Sequence, residues 1–105
     1  MSTVEYHKLV RDRIPEIIRL NGAECATRIA TQEEYCDLLR QKLQEEVNEF
    51  LEHNDPNELA DVLEVMHALC EVLGVSFDDI ESARLQKAQE RGGFLKRIFL
   101  ESTTE

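Results

Sequence analysis

The stretch EEVNEFLEHNDPNELAD, Glu45 to Asp61, sets two carboxylate clusters on either side of one chain break. Glu45, Glu46 and Glu49 precede Asn54-Asp55-Pro56-Asn57, and Glu58 and Asp61 follow it. A residue before proline is pushed out of helical backbone, whereas proline itself suits the first turn of a new helix. The break therefore reads as a tight turn between two helices, and antiparallel helices bring the two acid clusters face to face.

Helical periodicity extends both ways from the turn. At about 100° per residue, Cys36, Leu39, Leu43, Val47, Phe50 and Leu51 form an apolar stripe on the first helix. Glu46 lies on the shoulder of that stripe, Glu49 further out, and Glu45 nearer to water. On the second helix, Leu59, Val62, Leu63, Val65, Met66, Leu69, Cys70, Val72 and Leu73 wrap most of the circumference. Glu58 and Asp61 fall inside this apolar arc, while Glu64, His67 and Glu71 point the opposite way.

An unpaired carboxylate in an apolar setting costs several kcal/mol and must be protonated, paired or bound to a cation. From Leu43 to Ala83 the chain holds twelve acids and no Lys or Arg, so no basic partner is expected locally. The economical expectation is a divalent cation held by Glu46, Glu49, Glu58 and Asp61. An all-oxygen donor set with neither Cys nor an inward His suits Mg²⁺, or Mn²⁺, better than Zn²⁺. The plainer reading of acidic helix residues, a solvated face, is kept for Glu52, Glu64 and Glu71.

With 105 residues the chain reads as a single domain, residues 1–105. So few elements cannot cover a helix that is apolar nearly all round, which predicts a homo-oligomer, a homodimer or homotetramer, with that helix between subunits. The expected fold is all-α, an antiparallel helical bundle completed by oligomerisation. A net charge of −10 argues against a nucleic-acid or anionic-membrane surface. No signal-like start and no membrane-length apolar run occur, and Cys25, Cys36 and Cys70 are odd in number without a C-x-x-C pair. A cytoplasmic protein with reduced cysteines is expected.

Tyr6 to Gly22 reads as an extended entry and a short helix begun near Pro15. Lys8, Arg11 and Arg13 stand on the entry arm, either as a solvated basic patch or as substrate contacts. Residues 23–30 lack a helical period and suggest a short extended or irregular link. Thr31 with Glu34 is a capping box for a helix running to about His53, and the next helix should stop at Gly74. Ser76 with Asp79 opens a last helix to Arg91, with Arg84, Lys87 and Arg91 on one face. The apolar tail FLKRIFL, 94–100, is expected to pack as an extended segment or last turn against a neighbour.

Inward carboxylates opposite a basic stripe make a plan for polyphosphate chemistry. Mg²⁺ would bridge acids and phosphate oxygens, Lys and Arg would neutralise the remaining charge, and metal-bound water would supply hydroxide near neutral pH. Glu45, beside the ligands and less buried, is placed to orient or deprotonate that water. No glycine-rich phosphate loop is present. His53 falls four residues after Glu49 and reads as a surface histidine. Glu64-x-x-His67 matches the unit of di-iron bundles but faces outward and lacks a second copy.

Glu45-Glu46-x-x-Glu49 followed by Glu58-x-x-Asp61 resembles the signature of the all-α nucleoside triphosphate pyrophosphatases, the MazG-like superfamily. Lys8 to Pro15, KLVRDRIP, and Lys87-x-x-x-Arg91-Gly92-Gly93-Phe94 resemble the ends of its compact house-cleaning subgroup. The resemblance implies Mg²⁺-dependent hydrolysis of a nucleoside triphosphate, normal or modified, to monophosphate and pyrophosphate. It also implies Glu46, Glu49, Glu58 and Asp61 as metal ligands and Lys87 and Arg91 as phosphate contacts, with Lys8 and Arg11 in the subgroup's basic motif. Phosphoribosyl-ATP as substrate, or a non-catalytic acidic metal-binding dimerisation module, are the alternatives.

Overall fold

The computed structural model describes residues 2–105, which form four helices and, among the described residues, no strand. They are α1 (Ile14–Leu20), α2 (Gln32–His53), α3 (Pro56–Leu73) and α4 (Phe77–Arg91). The long helices begin where the sequence offers an oxygen to their first free amides. Thr31 Oγ1 accepts from the Glu34 amide at 3.2 Å, and Glu34 Oε1 accepts from the Thr31 amide at 2.8 Å, completing the capping box. Ser76 and Asp79 repeat it for α4. Asp55 Oδ1 caps α3 by accepting from the Asn57 amide at 2.9 Å.

The decisive turn is two residues long. Asn54 takes a left-handed conformation (φ 54°, ψ 25°) and donates its amide to the Phe50 carbonyl at 2.7 Å. Asn is among the few L-residues that tolerate this backbone. Asp55 is extended, as a residue before proline must be. The chain reverses, and α2 packs along α3 in a helical hairpin, the one extensive helix–helix interface among the described residues. At the far end of α3, Gly74 (φ 73°) and Val75 donate to the Glu71 and Cys70 carbonyls in a Schellman closure.

The core of this hairpin is thin. Among the described residues only Leu39, Val65, Cys70 and Glu46 are buried, and no large side chain is fully enclosed. The three cysteines are unpaired, with Cys70 buried. α4 attaches through a stack of Phe77 on His67, centroids 3.9 Å apart. α1 is joined to the following link by Cys25 Sγ donating to the Pro15 carbonyl at 3.9 Å.

Of the alternatives left open, residues 23–30 take the irregular link, and the tail opens with a turn at 94–96 before running on without regular structure. That tail meets little of its own chain: Phe94 and Leu95 are 97% and 98% exposed. Nor does one chain close a bundle. Its radius of gyration is 18.7 Å over extents of 64 × 31 × 25 Å, where a compact chain of this length has about 13 Å. Its accessible surface is 9786 Å², where a compact monomer of 12.1 kDa exposes about 6,000 Å². No helix among the described residues is long and apolar enough to cross a membrane.

Candidate functional site

The hairpin brings the two acid clusters together. Glu46, on the α2 face turned to α3, is only 7% exposed and is the one charged residue among the four buried ones. Its Oε2 is shielded from solvent and has no hydrogen-bond partner, and the same is true of Glu58 Oε2. Glu45, Glu49, Glu58 and Asp61 are half-buried. Two orphaned carboxylate oxygens in so small a core mark a place where something positive is wanted.

The expectation that no basic partner lies nearby is corrected. Lys42, one residue before the cation-free interval, sits a helical turn from both Glu45 and Glu46. Its Nζ reaches Glu45 Oε2 at 3.0 Å and Glu46 Oε1 at 3.2 Å. The entry arm supplies two more cations from far away in sequence. Lys8 Nζ donates to Glu45 Oε1 at 2.7 Å, and Arg11 Nη2 donates to Asp61 Oδ1 at 2.7 Å. Arg11 also comes within 3.9 Å of Glu64, so Glu64 borders the site instead of facing away from it. Across the turn, His53 Nδ1 meets Glu58 Oε1 at 2.7 Å.

These contacts set the protonation landscape. Burial pushes the Glu46 carboxyl up, with Lys42 opposing and the negative charges of Glu49 and Asp61 reinforcing. Lys8 holds the Glu45 carboxyl down despite some burial. Burial works against the Lys42 ammonium, but its two carboxylate partners prevail and raise its pKa. Glu58 raises His53, which favours the imidazolium beside it. Glu45 is thus tied to two ammonium groups in this state, which is not the free base expected of a residue nearer to water.

Between the arm and the hairpin lies an open cleft of about 630 Å³, with Arg11 and Arg13 on one side and Glu46, Asp61, Glu64 and His67 on the other. That is within the ~300–1,000 Å³ of small-molecule sites. Among the described residues no three acid, His or Cys side chains converge on a single cation position. Within the cluster, Glu45, Glu46 and Asp61 turn toward Lys8, Lys42 and Arg11, and Glu58 toward His53. The donor set and the two orphaned oxygens nevertheless fit a hard divalent ion, which Glu46, Glu49, Glu58 and Asp61 would hold.

The basic stripe of α4 is not brought to this cleft within one chain. Lys87 and Arg91 are exposed and, among the described residues, form no ion pair with the acids, while Arg84 is bound to Glu81 on its own helix at 2.9 and 3.0 Å. Of the Glu64-x-x-His67 unit, Glu64 lies within 3.9 Å of Arg11 and the His67 ring stacks on Phe77. Lys42 was legible from its i,i+3 and i,i+4 spacing to Glu45 and Glu46. His53 required the turn to be known. Comparison of the chain with protein-family models, curated proteins and solved structures gave no match.

Proposed function

We propose that this chain is a Mg²⁺-dependent nucleoside triphosphate pyrophosphohydrolase, hydrolysing a normal or modified nucleotide to the monophosphate and pyrophosphate. The observation that carries the reading is Glu46, a buried carboxylate with an orphaned oxygen, facing a second acid cluster across a two-residue turn. The order of the acidic motif between the KLVRDRIP and KxxxRGGF stretches supports the substrate class. Bound divalent cations would supply Lewis-acid charge and lower the pKa of coordinated water. Glu46, Glu49, Glu58 and Asp61 hold the cation, Glu45 orients the attacking water, and Lys8, Arg11, Lys87 and Arg91 take phosphate charge. In this reading Mn²⁺ can replace Mg²⁺.

The working unit in this reading is a homodimer or homotetramer. Support comes from the surplus of exposed surface, the exposed apolar side chains Leu59, Leu63 and Leu73 on α3, and the uncovered tail. A second copy is also the simplest source of an α4 stripe that reaches the acids. The test is pyrophosphate release from a panel of nucleoside triphosphates, with phosphoribosyl-ATP included, in the presence of Mg²⁺. Wild type turns over at least one member, Glu49→Gln loses more than about a hundredfold, and chelation of divalent ions abolishes the activity. Turnover of phosphoribosyl-ATP alone moves the assignment to that substrate. Cation binding without turnover of any member leaves a non-catalytic acidic module.

A further inference from the structure

The entry arm crosses the site in an unusual way. Its two ion pairs join residues 37 and 50 positions apart in sequence, Lys8 to Glu45 and Arg11 to Asp61, each at 2.7 Å. Both arm cations thus stand on members of the acid cluster, one on each helix of the hairpin. The arm around them has no regular structure from residue 2 to residue 11, and little apolar burial anchors it: Leu9 is half-buried, Val4, Tyr6 and Val10 are exposed. Arg13, on the same arm, behaves differently and pairs with Glu16 on α1 at 3.3 Å. The arm is therefore held over the acids chiefly by two solvent-accessible ion pairs, which are weak and exchangeable.

A second observation shows that these cations do not satisfy the site. Glu46, nine-tenths buried, keeps an oxygen without a partner, and so does Glu58. Neither Lys8 nor Arg11 reaches those oxygens. A compact divalent ion carries twice the charge of either and can take oxygens from several carboxylates at once.

We propose that Lys8 and Arg11 are exchangeable internal counter-ions: a divalent cation entering between α2 and α3 displaces them, and the arm is released to present the same two side chains to an anionic ligand in the cleft. The two states compete at Asp61, where Arg11 holds Oδ1, and the double charge of a cation held by Glu46 opposes Lys8 on the adjacent Glu45. Binding is consequently ordered, cation before anion. In the cation-free state the arm's positive charge is spent on Glu45 and Asp61. In the loaded state it faces the 630 Å³ cleft, whose arm side already carries Arg13. This inference rests on the cation-binding half of the proposed function, not on its chemistry.

The experiment follows cation and arm separately, without turnover. Mn²⁺ affinity is measured by electron paramagnetic resonance on the full chain, for wild type, Lys8→Ala, Arg11→Ala and the control Arg13→Ala. Arm order is followed by ¹⁵N relaxation of Leu9 and Val10 as Mg²⁺ is added to wild type. The expected result is tighter Mn²⁺ binding by about two- to fivefold for Lys8→Ala and Arg11→Ala, the upper range for partly exposed pairs. Arg13→Ala stays near wild type, and the Leu9 and Val10 amides become more mobile as Mg²⁺ saturates. Cation binding with unchanged arm order, or equal tightening in all three variants, overturns the displacement and leaves the proposed function standing. No cation binding by any protein overturns both.

Discussion

Glu46 is uncomfortable as a carboxylate where it stands, and that discomfort is measurable. Burial raises its pKa although Lys42 lies 3.2 Å away, so in the folded chain the neutral form is favoured relative to the unfolded one. Its contribution at neutral pH is therefore destabilising, and Glu46→Gln should stabilise the cation-free protein by about 1 kcal/mol, read as a higher denaturation midpoint. Lys42→Met removes the partner and keeps the buried charge, so it should destabilise by about 2 kcal/mol. The two changes together should recover most of that loss, since residues in contact do not act additively. A Lys42→Met chain as stable as wild type would show that the ammonium does not compensate Glu46. That Glu46 would be inward was legible from its angle beside Leu39, Leu43 and Val47. Its pairing with Lys42 was legible too, from the i,i+4 spacing. The pairing of its neighbours Glu45 and Asp61 with Lys8 and Arg11 was not, because those two approach from an arm with no periodicity to read.

Helix boundaries come from short-range chemistry, which is why they follow the sequence closely. Thr31, Asp55 and Ser76 each offer an oxygen to a free amide, and Asn54 and Gly74 accept the left-handed backbone that ends a helix. The start of α2 is also electrostatic. Arg28 donates to Glu34, with Nη2 to Oε2 at 3.0 Å, while Glu34 Oε1 closes the capping box on Thr31. The Arg28 hydrogen bond, joined by the Thr31 amide, lowers the Glu34 pKa from 4.5 to about 2. The folded state thus binds this proton more weakly than the unfolded chain does. Stability from the group is complete above about pH 4.5 and is lost as pH falls through about 2. Glu34→Gln should flatten the acid limb of the thermal-midpoint profile in that window, whereas a limb unchanged by the substitution would remove the group from acid unfolding. For the segments 23–30 and 94–100 the sequence left two forms open, because neither carries a cap or a helical period, and which form each takes depends on what it touches. The stripe of Lys87 and Arg91 shows the limit again: spacing puts two cations on one face, yet only the placement of α4 decides what that face meets.

The molecule is elongated around its α2–α3 hairpin, whose core among the described residues is three apolar residues and an acid. Such a core is small for a chain of 105 residues. If association supplies what is missing, folding and assembly are one equilibrium, and the thermal midpoint should rise by several degrees over a hundredfold increase in protein concentration. Phe94→Ser with Phe99→Ser should lower the midpoint and weaken its concentration dependence, because both rings lie in a tail that a partner would cover. A midpoint independent of concentration would mean that the hairpin stands alone. The turn at Asn54 and Asp55 has a consequence of another kind. It is exposed, it is the sole covalent link between the two acid clusters, and the segments on either side of it are both net acidic. A chain severed there becomes two like-charged fragments with complementary apolar faces, and their rate of reunion will follow the ionic strength of the medium, fast when salt screens them and slow when it does not.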